Sequence, residues 1–252
     1  MNLKKLFAAE PTPTLTFFTN VVDISKDPLI QPQPAIKFVP QDWKRMPRWS
    51  DLEYETLSIR RAKTVKACPS FVDYFSQGVI LPAWCDMAFK YNSETDTWAW
   101  ATGDGLSPYE IDIHPNTQML DHMDYKHRGE KAQLVFKLIS PWFLKTPKGW
   151  STLQLPLFYH ADKDWQVIAG VNDTDVHHVL NQQILYFGSG REVFIQKGEP
   201  LVHYIPFQRT KINIETKLAT EKDKIDLSTK LNQIHSKATG GYKYMTRSRE
   251  ED

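Results

Sequence analysis

The sequence has little cysteine, almost no net charge and no long apolar run. Only Cys68 and Cys85 are cysteines, and with no CxxC pair we expect reduced, buried thiols rather than a disulfide framework. Lys and Arg total 31 against 30 for Asp and Glu, so no global field draws the chain onto nucleic acid or a membrane. No apolar run reaches the roughly 20 residues of a membrane helix, and the N-terminus lacks the ~7–15-residue core of a signal peptide.

The usual motifs of nucleophilic and nucleotide-driven enzymes are also missing. The sequence contains no GxSxG, no P-loop and no GxGxxG, and neither cysteine has a histidine at a diagnostic spacing. We therefore do not expect acyl transfer or an ATP-driven reaction. The chain is interpreted as leaning towards a non-enzymatic role.

Short apolar runs separated by Gly, Pro, Asp and Asn dominate residues 141–209, and similar runs occur before them. Regularly spaced runs without intervening helices predict a mainly β fold, an antiparallel sandwich or a related closed architecture. In residues 153–159 the alternating Leu153, Leu155, Leu157 and Tyr159 predict one apolar strand face. Pro156 and Pro206 then have to lie at edges or bulges.

Two helices are predicted within this β framework. Phe71, Tyr74 and Phe75 share a face of a short helix near 69–77, with Pro69 in its first turn and Gly78 as a left-handed cap. Residues 213–252 form a polar extension. There Ile225, Leu227, Leu231 and Ile234 give a partial stripe that ends at Gly240-Gly241 and is expected to pack on the body or on another subunit.

The predicted organisation is one mostly β domain over residues 1–212, with an N-terminal proline-rich strap over residues 28–47. Pro28, Pro32, Pro34 and Pro40 favour an extended, partly polyproline II path, held by Ile36, Phe38 and Trp43. After the strap, basic residues interleave with Trp43, Trp49 and Tyr54. This mixture is compatible with single-stranded nucleic acid, but interspersed acidic residues favour a solvated connector.

The densest ionisable cluster is Asp173, Asp175, His177 and His178. Asp173 is a candidate general base, and Asp173 with Asp175 is a candidate site for a divalent cation such as Mg²⁺. Residues 172–175 also have the composition of a hairpin turn with Asx hydrogen bonds, which would explain the same residues without chemistry.

A second constellation has the order of a non-haem iron site. His160 and Asp162 lie two residues apart, as on one strand face, and His203 follows some forty residues later. Under this hypothesis Arg209 would bind the carboxylate of 2-oxoglutarate through a bidentate pair. The alternatives are an ordinary polar turn at residues 160–164 and a hydrogen-bonded structural histidine at 203. Apart from Mg²⁺ or Fe(II) under these hypotheses, no cofactor is predicted.

Several phrases together are similar to an uncharacterised family encoded by tailed phages, notably of marine cyanobacteria, and by some bacteria. They are PQPA at 32–35, PQDW at 40–43, VKACP at 65–69, KTPKGW at 145–150, DTD at 173–175, KGEP at 197–200 and IPF at 205–207. The resemblance implies a phage origin and hence a location in the host cytoplasm or the virion. It implies no catalytic residue.

A second resemblance concerns GVNDTD at 170–175 followed by KGEPLVHYI at 197–205. These phrases are similar to the central part of trimeric dUTPases and dCTP deaminases, and WCDM at 84–87 echoes an earlier aspartate motif. The resemblance implies a β-clip fold, with Asp173 in a hairpin that binds a deoxynucleoside. Val176, His177 and His178 stand where those enzymes carry a base-stacking aromatic residue.

The sequence thus favours a non-catalytic binding or assembly protein of phage origin, a virion or accessory component. Its expected partners are proteins, including further copies of itself. Two alternatives stay open: a β-clip nucleotide-binding protein, hydrolase or deaminase using Asp173, and an iron(II) oxygenase using His160, Asp162 and His203.

Overall fold

The structure, a computed structural model, describes residues 13–51, 61–103, 111–160 and 162–235. The chain divides into two compact units. The first comprises residues 1–41 and 75–209, and the second comprises residues 42–74 and 210–252.

Most strands and helices are short, and the longest strands belong to the first unit. The strands are β1 (Thr16–Phe18), β2 (Gln33–Pro34), β3 (Trp49–Asp51), β4 (Arg61–Lys63), β5 (Val79–Pro82), β6 (Met87–Asn92), β7 (Thr97–Thr102), β8 (Ile111–His114), β9 (Lys126–His127), β10 (Glu130–Lys131), β11 (Leu134–Lys145), β12 (Trp150–Leu155), β13 (Trp165–Val167), β14 (Gly170–Asn172), β15 (Val179–Tyr186), β16 (Val193–Ile195) and β17 (Pro200–Gln208). The α-helices are α1 (Val22–Lys26), α2 (Gln41–Arg45), α3 (Pro69–Ser76) and α4 (Glu221–His235).

Four antiparallel sheets lie in the described part of the first unit, and the smallest is the two-stranded β9-β10 ladder. One has the order β1-β11-β15-β13, with β8 also paired to β11, and a second has the order β14-β12-β17-β5-β2. A third, smaller sheet has the order β16-β6-β7. The long strands meet in the core, where Phe136 of β11, Leu180 of β15 and Tyr204 of β17 are fully buried in one apolar cluster. The predicted mainly β, sandwich-like class is therefore confirmed.

A buried polar network joins two of these sheets. The Nε2 of Gln182 on β15 donates to the hydroxyl of Tyr204 on β17 over 2.8 Å, and that hydroxyl donates to Oε1 of Gln154 on β12 over 3.0 Å. Gln154 in turn donates to the Ile168 carbonyl. Burial raises the pKa of Tyr204, so its hydroxyl stays protonated and acts as a donor.

The prediction for the apolar face of residues 153–159 is wrong. β12 ends at Leu155, before Pro156, and its buried positions are Ser151, Thr152 and Gln154. The leucines of β12 are only half-buried. Thr152 and Gln154 lie on one face of the strand, and Ser151, which is also buried, lies on the other. Gln154 bonds to Tyr204 and to the Ile168 carbonyl, and Ser151 donates to Asp173, which a single-strand pattern cannot reveal.

The proline-rich strap is also less extended than predicted. Gln33 and Pro34 pair with β5, residues 35–38 form a 3₁₀ turn, and α2 begins directly after Pro40. A proline at the start of a helix removes an N–H that would have no partner there anyway, so it does not prevent the helix. Trp43 is buried as expected, whereas Ile36 is 48% exposed.

The predicted helix near 69–77 is confirmed by α3, in which Phe75 is buried. Gly78 has φ of +70° and so adopts the left-handed conformation expected of a cap. A Cβ at this position would lie 2.1 Å from the carbonyl oxygen of Tyr204, so the close approach of β17 requires glycine as well.

In the second unit β3 and β4 form a two-stranded ladder. The predicted C-terminal helix is confirmed by α4, which begins with a capping box in which Thr220 and Asp223 exchange side-chain and backbone hydrogen bonds. Tyr54 and the predicted stop at Gly240-Gly241 lie outside the described residues. No helix in the described ranges is long and apolar enough to span a membrane.

Candidate functional site

Three segments of the first unit meet where β17 ends. They are the turn after β14, which carries Asp173 and Asp175, the turn before β12, which carries Gly149, and Arg209 directly after β17. β12 pairs with both β14 and β17, so the sheet itself brings these three segments together. We call Ser151, Asp173, Asp175 and Arg209 the Asp–Arg cluster.

Asp175 is the buried carboxylate of the cluster, with only 4% of its side chain exposed. Both of its carboxylate oxygens accept hydrogen bonds from Arg209, and Oδ2 also accepts from the Gly149 amide at 2.8 Å. The Arg209 guanidinium, followed by the Gly149 amide, lowers the pKa of Asp175 from 3.8 to about 2. The same ion pair raises the pKa of Arg209. Both groups are therefore charged throughout the neutral range.

Asp173 lies at the surface, with 62% of its side chain exposed. Its Oδ1 accepts from the Ser151 hydroxyl at 2.6 Å and from Nη1 of Arg209 at 3.1 Å. Nη1 also donates to the Ser151 Oγ at 2.8 Å. The cluster is therefore a closed network in which the guanidinium joins two carboxylates.

The turn itself is held by its backbone and by threonines. The Asp173 carbonyl accepts from the amides of Val176 and His177. Thr174 is fully buried and shares a 2.9 Å hydrogen bond with Thr146, while a ring nitrogen of His178 lies 2.9 Å from the Thr174 carbonyl. These contacts give Asp173, Asp175 and His178 structural partners. The turn is not a hairpin, because β14 pairs with β12 whereas β15 pairs with β11 and β13.

Arg209 is held by both its side chain and its backbone. Arg209, the candidate ligand for a 2-oxoglutarate carboxylate, directs its guanidinium at two internal carboxylates. The Arg209 amide also donates to the Gly149 carbonyl at 2.8 Å. Both the backbone and the side chain of Arg209 are thus fixed immediately before the C-terminal segment begins at Thr210.

The candidate iron ligands do not come together. His203 is buried on β17, and a nitrogen of its ring lies 2.7 Å from the Gln77 carbonyl. His160 borders a different feature, a cavity beside β13, and Asp162 is exposed near Lys163. Burial lowers the pKa of both histidines. In the described ranges, no group of three or more His, Cys, Asp or Glu side chains is arranged to hold a metal ion.

Two members of this region had no signal in the sequence. Ser151 sits in an apolar-looking strand and Gly149 in a Pro–Lys–Gly turn, yet both bind the carboxylates of a turn more than twenty residues away. Only the antiparallel register of β12 and β14, which pairs Thr152 with Asn172, brings them to Asp173 and Asp175.

Neither protein-family models nor curated proteins give a match to this sequence. Among solved structures, the chain is similar to a mutant dUTPase from phage phi11 of S. aureus, described with a structural Mg(II) ion. The identity is 10%, the match covers 44% of this chain and 98% of the dUTPase chain, and the TM-score is 0.27. This TM-score is too low to support an inference about activity.

Proposed function

We propose that this protein is a non-catalytic assembly protein that associates with a second copy of itself by donating residues 211–218 as a β-strand. We call these residues the arm. The single observation that carries the proposal is the arm itself, an amphipathic strand sequence that has no strand partner within the described structure.

The arm alternates strictly between apolar or β-branched residues and polar residues. Ile212, Ile214, Thr216 and Leu218 fall on one side of an extended chain, with Lys211, Asn213, Glu215 and Lys217 on the other. This is the pattern of a strand with one buried face. Yet the side chains are almost fully solvated, with exposures of 81% for Ile212, 91% for Ile214 and 94% for Leu218.

Burial of these three side chains would favour association. Removing a large aliphatic side chain from water stabilises by about 1.5–3 kcal/mol. An added strand also gains main-chain hydrogen bonds along a sheet edge, the mode called β-augmentation. Because Arg209 is anchored, the arm starts from a fixed point. The arm therefore loses less conformational entropy when it becomes ordered on binding.

The helix after the arm also has exposed apolar side chains. In α4 the side chains of Ile225, Leu227 and Leu231 are 62%, 59% and 44% exposed. The predicted docking of this helix on another subunit is consistent with these exposures.

The first unit offers an acceptor of matching chemistry. A groove of about 550 Å³ lies beside β1, lined by Leu15, Phe17, Phe18, Thr19, Ser25, Gln31, Pro32 and Trp142. Within the described part of the chain β1 pairs with β11 alone, so its other edge is open. An arm strand added to that edge would place alternate side chains in the groove.

The test compares the oligomeric state of two double variants by light scattering coupled to gel filtration over a range of concentrations. Ile212→Asp with Ile214→Asp places charges on the apolar face and should convert the assembly to monomer. The matched control, Lys211→Gln with Lys217→Gln, changes the formal charge equally on the polar face and should assemble like the parent.

The groove is tested separately. Phe18→Asp, at a side chain that is 39% exposed, should weaken assembly, whereas Phe194→Asp, at a 55% exposed position on β16, should not. A monomeric parent protein at every concentration would contradict the proposal. Assembly that survives the Ile212 and Ile214 changes would contradict the role of the arm.

The proposed setting, the virion or the host cytoplasm, depends on the phage resemblance of the sequence phrases alone. The nucleotide hypothesis for Asp173 and the iron hypothesis for His160, Asp162 and His203 stay predictions. No contact in the described structure favours either over assembly.

A further inference from the structure

A cavity of about 300 Å³ lies beside β13, away from the Asp–Arg cluster and from the groove at β1. It is lined by His127, Leu157, Phe158, His160, Lys163, Trp165, Gln166 and Val167. The volume is at the lower end of the range typical of small-molecule sites.

Several of the lining residues are aromatic or aliphatic. Trp165 is 6% exposed and belongs to the main core, so its indole has a fixed position. Phe158 is 69% exposed, although it is a large aromatic side chain in a short segment after β12. A buried indole and a solvated phenyl ring bordering one cavity suit a flat ligand, because planar rings stack on aromatic faces.

Two of the lining residues carry buried polar atoms without protein partners. The indole Nε1 of Trp165 and Nε2 of His127 are both buried, and neither has a hydrogen-bond partner in the described structure. Buried polar atoms of folded proteins are almost always hydrogen-bonded, so two such atoms on residues lining one cavity call for an explanation. An indole N–H can only donate, so the group that satisfies it is an acceptor.

The charges around the cavity balance. Lys163 pairs with Glu199 at 2.5 Å, and the Glu199 side chain is only 15% exposed. Burial lowers the pKa of His160, which keeps its imidazole neutral at pH 7. The amide of Gln166 adds both a donor and an acceptor. No uncompensated positive charge on these lining residues favours an anionic ligand.

From this combination we infer that the cavity binds a neutral planar heterocycle with ring carbonyl or ring nitrogen acceptors, the chemical class of a nucleobase. The ring of the ligand stacks on Phe158 and Trp165, and one of its acceptor atoms accepts a hydrogen bond from the Trp165 N–H. The Gln166 amide forms hydrogen bonds with the polar edge of the ring. Because the N–H has almost no accessible surface, ligand entry involves a shift of lining side chains. This inference does not depend on self-association.

The experiment titrates the full chain with inosine and with uridine, monitored by calorimetry, and uses benzoate as an anionic ring of similar flatness. Trp165→Phe keeps an aromatic ring and removes the N–H, so it should weaken nucleoside binding about fivefold to tenfold. Phe158→Ala should weaken it at least fivefold through lost stacking. Phe194→Ala, an exposed phenylalanine on β16, is the matched control and should leave binding unchanged.

Phe158 is solvated, so Phe158→Ala tests the site even where Trp165→Phe disturbs the core. Binding of a nucleoside that both cavity variants weaken and Phe194→Ala does not supports the inference. Three results would overturn it: no binding of either nucleoside at its solubility limit, nucleoside binding that Phe158→Ala leaves unchanged, or binding of benzoate in place of the nucleosides.

Discussion

At the scale of single residues, Asp175 shows how neighbours control ionisation. Its carboxylate is nearly inaccessible to water, but the Arg209 guanidinium and the Gly149 amide stabilise the charged form more than burial disfavours it. The folded-state pKa is therefore about 2, against an ordinary value of 3.8. A carboxylate with a lowered pKa stabilises the folded state above its unfolded pKa and loses that contribution as the pH falls through the folded pKa.

The first prediction concerns the pH dependence of Asp175→Asn. The parent should be more stable than the variant above about pH 4, and the difference should shrink between about pH 4 and pH 2. Thermal unfolding midpoints measured at half-unit pH intervals would show this. Asp226→Asn, at an exposed helix position that has no ion pair in the described chain, should change the midpoint little. A stability difference for Asp175→Asn that is constant from pH 2 to pH 6 would contradict the ion-pair account.

At the scale of elements, the junction between α3 and β5 depends on one glycine. Gly78 combines a left-handed backbone with the approach of the Tyr204 carbonyl, and both conditions exclude a side chain. The sequence predicted the first condition from the position of Gly78 after an amphipathic helix. It could not predict the second, which arises from the pairing of β5 with β17.

Gly78→Ala should therefore destabilise the protein more than a left-handed backbone alone explains. The conformational term is about 1–2 kcal/mol, and the clash at 2.1 Å from backbone oxygen adds to it because neither strand can yield freely. Gly190→Ala is the matched control, since Gly190 has φ of +82° and no atom lies within 4 Å of the place that its Cβ would occupy. Urea unfolding of both variants measures the two free energies. Equal losses would show that β17 relaxes around the methyl group.

Two prolines, Pro206 and Pro141, lie within long strands of the first unit. Pro206 lies in β17, a central strand, but beyond Tyr204, where the pairing with β5 ends. Its missing N–H therefore removes no bond to β5, as the edge-or-bulge expectation requires. In β11 the strand continues through Pro141 with a register shift between Ile139 and Phe143.

At the scale of the whole β unit, the Gln182–Tyr204–Gln154 network gives the packed sheets a polar contact within an apolar core. Each member is almost completely buried, and Tyr204 has no accessible surface. Such a network stabilises only while its groups remain satisfied, because an unpaired buried amide loses both water and its partner.

Tyr204→Phe should consequently lower the free energy of unfolding by about 1–3 kcal/mol, since it leaves two glutamine side chains without the hydroxyl. Tyr91→Phe is the control: its hydroxyl donates to Asp96 at 2.9 Å, and that carboxylate can be hydrated in the variant. We expect a loss of about 0.5–1.5 kcal/mol there. Chemical denaturation of the two variants and the parent measures these free energies of unfolding. A smaller loss of unfolding free energy for Tyr204→Phe than for Tyr91→Phe would contradict the role of the network.

The sequence by itself determined the mainly β class, the helices α3 and α4 and the left-handed Gly78. All of these follow from local periodicity and from the backbone preferences of single residues. The strand-like alternation of the arm is equally legible in the sequence, because alternation is a property of neighbouring positions.

Only the tertiary structure decided which face of β12 is buried, how residues 165–171 divide between two sheets, and which side chains surround Arg209. Asp175 and Gly149 are 26 residues apart and Asp175 and Arg209 are 34 apart, so no local pattern joins them. Gln154 and Gln182 are core residues whose amides bond to the Tyr204 hydroxyl on a distant strand. Strand register, set by the whole sheet, therefore fixes the Asp–Arg cluster.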